Sequence, residues 1–256
     1  MAPYCMLQPG KHYTNSEVFM KPCLNLLDQI IKEKHMLNHT FYMKWSAGEL
    51  TQTQLQNYAK DYYLHIKAFP KYISAIHSRC DNLAARKLLL SNLMDEENGY
   101  PNHIDLWKNF AYALGVSEEE LESHTPSPQA QEKVATFMRW CTGDSLSAGV
   151  AALYTYESQI PTVAETKIEG LKKYFGFSNP QDYEYFTVHQ ELDVKHSQEE
   201  KELIEMLLNN DCGKILQATR DVTSALWNFL GSFLDETPSE TPVSNGQSKR
   251  CGCCRH

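Results

Sequence analysis

The stretch from His189 to His196, His-Gln-Glu-Leu-Asp-Val-Lys-His, sets the tightest constraint on how this chain can fold. In an α-helix, positions four and seven apart return to one face, because about 3.6 residues complete a turn. His189, Asp193 and His196 then project together, two imidazoles bracketing a carboxylate. That donor mixture suits a first-row metal such as iron or manganese, and it lacks the thiolates of a structural zinc site. A solvated helix face is the competing reading, because Glu191, Lys195, Glu199 and Glu200 are also polar. Metal binding demands a fold in which other helices bring more carboxylates and histidines to the same place.

Periodicity along the chain predicts such helices. From Pro22 onward, Leu24, Leu27, Ile30 and Ile31 fall on one stripe. A short segment from Phe41 to Trp45 ends near Gly48. Thr51, with Gln54 three residues on, has capping-box spacing and opens a long helix bearing Leu55, Tyr58, Tyr62, His65, Ile66 and Phe69. Pro70 is expected to bend it. A helix from about Leu83 reaches Glu96 and Glu97, meets Gly99 and Pro101, and resumes through Leu106 and Phe110. Gly115 reads as a stop and Ser117 to Glu120 as a fresh start. After a loop from His124 to Pro128, helical spacing returns at Val134, Phe137 and Met138, then from Ser145 to Ile160, where Pro161 breaks it. Further helices are expected over 162–175, 180–208 and 213–234. No strand alternation or internal repeat is evident. The expectation is one all-α bundle over 21–235, between a loose leader at 1–20 and a disordered, Cys-rich tail at 236–256.

With 256 residues the chain can bury a sizeable core, and its net charge of −8 argues against general nucleic-acid binding. No apolar run spans a bilayer, and Met1 to Met20 does not read as a cleaved signal peptide. Eight cysteines are present. Cys5, Cys23, Cys80, Cys141 and Cys212 stand singly, while Cys251, Cys253 and Cys254 crowd the end. That is neither a disulfide framework nor a zinc spacing, so a reducing bacterial cytoplasm is the simplest setting.

Two other segments offer the missing donors. Glu96 and His103 are seven apart; Gly99 and Pro101 between them favour a bend that tilts both groups toward a shared site. Without such a site they read as an acidic helix end beside a loop histidine. Glu157 lies in the largely apolar run Ala151 to Ile160, where an unpaired charge is costly. Three carboxylates and three imidazoles on helices match the way bundles hold two metals for oxygen activation, although the spacing differs from the Glu-x-x-His pairs of ferritin-like proteins.

Three blocks carry a more specific resemblance: Tyr62 to Tyr72 (YYLHIKAFPKY), Asp95 to His103 (DEENGYPNH) and Arg139 to Ser145 (RWCTGDS). Over residues 26 to 235 the chain resembles the chlamydial CADD family (chlamydia protein associating with death domains), which groups with haem-oxygenase-like dimetal oxidases related to TenA and PqqC proteins. The resemblance implies a compact seven-helix bundle. Its metal ligands map to Glu96, His103, Glu157, His189, Asp193 and His196. It further implies synthesis of p-aminobenzoate, a folate precursor, from the protein's own side chains. Tyr42 would be the sacrificed tyrosine, Lys167 the amine donor, and Tyr58, Tyr156 and Tyr185 aromatics for radical transfer. Two divalent ions, Fe/Fe or Fe/Mn, would act with dioxygen and an external reductant.

The resemblance also implies association with host death-domain receptors and promotion of apoptosis, with delivery to the host cytoplasm. It leaves the oligomeric state open, a homodimer included. The alternatives are a PqqC- or TenA-like enzyme acting on an external small molecule, with Cys141 as the available nucleophile, or a death-domain-binding protein without catalysis. Without the resemblance, Tyr42 would be read as core packing and Lys167 as a surface lysine.

Overall fold

Polar caps and glycine stops divide the chain into helices. The computed structural model describes residues 15–234, with side chains from residue 21 onward. Among these residues every regular element is helical, as the all-α reading expects. The α-helices are α1 (Asn15–Glu33), α2 (Thr40–Ala47), α3 (Gln52–His77), α4 (Leu83–Glu97), α5 (His103–Ala113), α6 (Glu118–Ser123), α7 (Pro128–Thr142), α8 (Leu146–Glu157), α9 (Ile160–Tyr174), α10 (Glu184–Leu207) and α11 (Cys212–Gly231). They outnumber the seven of the expected bundle because several long runs are interrupted. The α4/α5 break falls at Asn98 to Asn102, and the α8/α9 break at Ser158 and Gln159.

Capping explains most starts. The Thr51–Gln54 capping box opens α3, Asn102–Asp105 opens α5, and Ser117–Glu120 opens α6. Pro161 stands in the first turn of α9, where its missing N–H costs nothing. Two prolines lie inside helices. Pro22 is inside α1, which begins at Asn15 within the stretch read as leader. Pro70 is inside α3, which continues to His77. Burial of the flanking apolar face outweighs the one lost backbone hydrogen bond. The remainder of the leader and the tail, with Cys5, Cys251, Cys253 and Cys254, lie outside the described residues.

Helix α8 is the axis of the bundle. Every residue from Ser147 to Glu157 is buried, and the helix packs against α10, α11 and α7. A helix apolar all round belongs in a core, so the single carboxylate at its C-terminal end is conspicuous. The short α2 is held by two glycines. Gly48, at φ +72°, ends it in a left-handed turn that packs on Tyr174. Gly170 in α9 lets the Trp45 indole approach so closely that a Cβ would lie 2.5 Å from its ring. The Trp45 Nε1–H donates to the Lys167 carbonyl at 3.2 Å. This contact fixes Tyr42, on α2, relative to Lys167, on α9.

A disulfide joins Cys23 of α1 to Cys212 at the start of α11, with Cα atoms 5.9 Å apart. This corrects the reading of isolated cysteines. A bridge between residues 189 positions apart leaves no local spacing to detect. Among the described residues no helix is long and apolar enough to cross a membrane.

Candidate metal centre

Four helices contribute to one buried cluster. Glu96 is next to last in α4 and His103 is first in α5, so the break between them folds the chain back. The result is a contact of 2.8 Å between Glu96 Oε2 and His103 Nδ1. A continuous helix would separate the two by about 10 Å along its axis. Glu157 closes α8, and α10 supplies His189, Asp193 and His196 from one face. All six side chains are buried.

The six fall into two groups of three: Glu96, His103 and His189, and Glu157, Asp193 and His196. Within each group one ligand atom per residue lies within 4.8 Å of the others. The His103 and His189 rings are 4.4 Å apart. Neighbouring hydrogen bonds aim the imidazoles. The Nδ1–H of His189 donates to the Tyr185 carbonyl at 2.6 Å, which leaves Nε2 free as a ligand. His196 Nε2 donates to Asp95 at 3.1 Å, so its Nδ1 turns toward Asp193 (3.5 Å) and Glu157 (3.8 Å). That Nδ1 and both Asp193 oxygens have no hydrogen-bond partner. Unpartnered donors and acceptors are rare in cores, and a pair of divalent ions fits this set.

Electrostatics agree. Burial, then the charge of Glu96, holds the Asp193 carboxyl well above its ordinary range; burial, then Asp193, raises Glu157. Burial, then His103, pushes His189 far down, so it is a neutral imidazole. At His103 burial opposes the charged form, but the Glu96 carboxylate outweighs it and the pKa is raised. Crowded carboxylates of this kind require a cation to be held together in ionised form.

Three residues absent from the expected site belong beside it. Glu200 lies one turn beyond His196 on the same face, buried against the Glu157 carboxyl; burial, then Glu157, raises its own carboxyl. Asp95 orients His196. His65 of α3 lines the narrow chamber beside the ligands with both ring nitrogens unpartnered. Glu200 could have been found by adding four to His196, but its polar neighbours made the position look solvated. Glu96, Glu157, His189 and Asp193 line this chamber together with Phe69, Tyr156 and Tyr185, so its space lies between the candidate ligands themselves and is about the size of one water.

The expected reaction residues lie deeper in the same core. Tyr42, Tyr58, Tyr156, Tyr185 and Lys167 are all buried. The Lys167 amine donates to the Tyr58 hydroxyl at 2.6 Å and sits 5.8 Å from the centre of the Tyr42 ring. Burial brings its pKa down to about 7. Burial also raises the Tyr42 phenol, an effect that the Tyr58 hydroxyl partly offsets. Tyr185 stacks on His189 with centroids 4.0 Å apart. Cys141 does not suit a nucleophile: it is fully buried, burial raises its thiol pKa strongly, and Sγ contacts the Gly149 carbonyl.

Comparison with known proteins adds sequence and fold evidence. The model of the TENA/THI-4/PQQC family matches residues 25–239. A protein named 4-aminobenzoate synthase, from Chlamydia trachomatis serovar D, is 72% identical over 219 residues, covering 86% of this chain and 94% of that protein. Among solved structures, a TenA homolog from Pseudomonas syringae superposes with a TM-score of 0.72 at 18% identity, over 84% of this chain and 91% of the other. A domain with a heme oxygenase-like fold from Shewanella denitrificans gives 0.68 at 14% identity, over 88% and 93%. These two likenesses bear on the fold alone, and they agree with the haem-oxygenase-like bundle expected from sequence.

Proposed function

This chain belongs to the TENA/THI-4/PQQC family, and from that premise we propose that it is an oxygen-dependent 4-aminobenzoate synthase that builds its product from its own side chains. Tyr42 supplies the ring and Lys167 the nitrogen. The observation that carries this reading is the buried Lys167 amine, which donates to the Tyr58 hydroxyl at 2.6 Å and sits 5.8 Å from the centre of the Tyr42 ring, in the same core as the six candidate ligands.

Two divalent ions at the six ligands, iron with iron or iron with manganese, would supply electrons to dioxygen, drawing on an external reductant. The protein's own part is legible in its residues. His189 and His196 are held in ligating tautomers by the Tyr185 carbonyl and Asp95. The apolar shell of α8 limits water. Lys167 is uncharged in a substantial fraction of molecules at neutral pH, so its lone pair is available to attack the Tyr42 ring once dioxygen has oxidised that ring. Tyr185 and Tyr156 line the ligand side, and Tyr58 joins Lys167 to Tyr42. A protein used in this way turns over about once per chain. Binding to death-domain receptors forms no part of this reading.

The test is Tyr42→Phe in the full chain, given iron, manganese, reductant and dioxygen but no aromatic compound. Product should vanish while metal content stays at the wild-type level. Continued formation of 4-aminobenzoate by that variant would refute the assignment of Tyr42.

A further inference from the structure

Helix α3 contributes a wall of the chamber that carries none of the six candidate ligands. Ile66 and Phe69 on that wall are apolar, and His65 is its one polar side chain. The other walls hold Glu96 from α4, Glu157 from α8, and His189 and Asp193 from α10. The His65 ring is buried, and neither Nδ1 nor Nε2 has a hydrogen-bond partner.

Packing alone does not account for a histidine here. Its ring sits among Tyr62, Phe69, Phe137 and Tyr156, with centroids 5.0 to 5.7 Å away. A phenylalanine would fill that cage without leaving a buried N–H and a lone pair unmet, a cost that natural cores avoid. Burial, then Lys133, holds the imidazole far below the ordinary histidine range, so it is neutral and keeps one N–H. The other lining groups have no donor to spare. The Tyr156 hydroxyl lies 2.5 Å from the Tyr62 hydroxyl, Tyr185 bonds to Tyr156, and His189 Nδ1 is taken by the Tyr185 carbonyl. Carboxylates gathered around cations only accept. Among the described residues that line the chamber, His65 supplies the available donor.

We propose that the His65 N–H is the hydrogen-bond donor of this chamber, seating a diatomic molecule with exposed lone pairs, dioxygen in the reaction, beside the candidate ligands. The inference rests on the dioxygen-dependent, metal-holding part of the reading above and is independent of the source of the product ring. A space about the size of one water restricts the guest to a very small molecule. A hydrogen bond to neutral dioxygen is weak, but it strengthens as the molecule gains negative charge, and a fixed donor in a water-poor cavity then stabilises that charge. His65 therefore holds the oxidant where it is reduced, while the six ligands hold the ions.

The test uses the full chain loaded with iron(II) in the absence of dioxygen and exposed to nitric oxide, a diatomic probe of similar size. His65→Phe should hold the wild-type amount of iron. The nitrogen–oxygen stretch of the wild-type adduct should move on exchange into heavy water, and that movement should vanish in His65→Phe. Nitric oxide should bind this variant roughly three- to tenfold more weakly. His65→Gln, which restores an N–H, should recover part of both the affinity and the heavy-water response. If His65→Phe keeps the wild-type affinity and heavy-water response, the imidazole holds a buried water at most and the proposal is overturned. Loss of iron from His65→Phe would make the residue part of the metal-holding structure and would overturn the donor role as well. If the wild type itself holds no iron, the six-ligand reading fails and takes this proposal with it.

Discussion

Lys167 is the residue whose environment departs furthest from its sequence context. Glu165, Thr166 and Glu169 around it suggest a surface, yet the side chain is buried with its amine on Tyr58. Its pKa falls from the ordinary 10.5 to about 7, by burial. Between those values the unfolded chain binds a proton that the folded chain does not, so this residue makes stability rise with pH from about 7 to 10.5; below 7 both states hold the proton and the contribution no longer changes. Replacing it by methionine should remove a pH-dependent contribution on the order of 3 kcal/mol across that range, seen by comparing urea unfolding of variant and wild type at pH 7 and 9.5. The neutral amine also sets reactivity: product yield should climb as pH rises through about 7. Asp95 offers a second test. Asp95→Asn should weaken metal binding about 10–100-fold by loosening His196, measured by competition with a chelator. At this scale, sequence arithmetic reached the shared face of His189, Asp193 and His196 on α10 and, through the Gly99–Pro101 break, the proximity of Glu96 and His103. Glu157 came from the cost of a charge in an apolar run. Tyr42 and Lys167 came only from resemblance, because a buried lysine carries no local signature.

Helix boundaries were legible wherever capping chemistry is local. Thr51 with Gln54 and Ser117 with Glu120 name their helix starts outright. Interhelix attachments were not, because they join positions far apart in sequence. The α2–α9 contact depends on Gly170, where any Cβ would strike the Trp45 ring. Gly170→Ala should therefore cost about 1–3 kcal/mol by overpacking. Because α2 carries Tyr42 and α9 carries Lys167, it should lower product yield more than metal content, measured on the same preparation. The α1–α11 disulfide was equally invisible. Closing so long a loop, its reduction should lower stability by about 2–4 kcal/mol, seen as a lower thermal midpoint with reductant that a Cys23→Ser variant reproduces without it.

At the scale of the whole molecule, a bundle of helices around α8 brings six candidate ligands from α4, α5, α8 and α10 into two groups of three. The same core buries Lys167 with its amine on the Tyr58 hydroxyl and 5.8 Å from the centre of the Tyr42 ring. That combination is what supports the proposal that the protein is its own substrate. The direct test is mass spectrometry of the purified full chain after iron, manganese, reductant and dioxygen are added with no small-molecule substrate. About one equivalent of 4-aminobenzoate per chain, matched by loss of the Tyr42 side chain, is the expected result. Product formed by a chain whose Tyr42 and Lys167 remain whole would contradict the account.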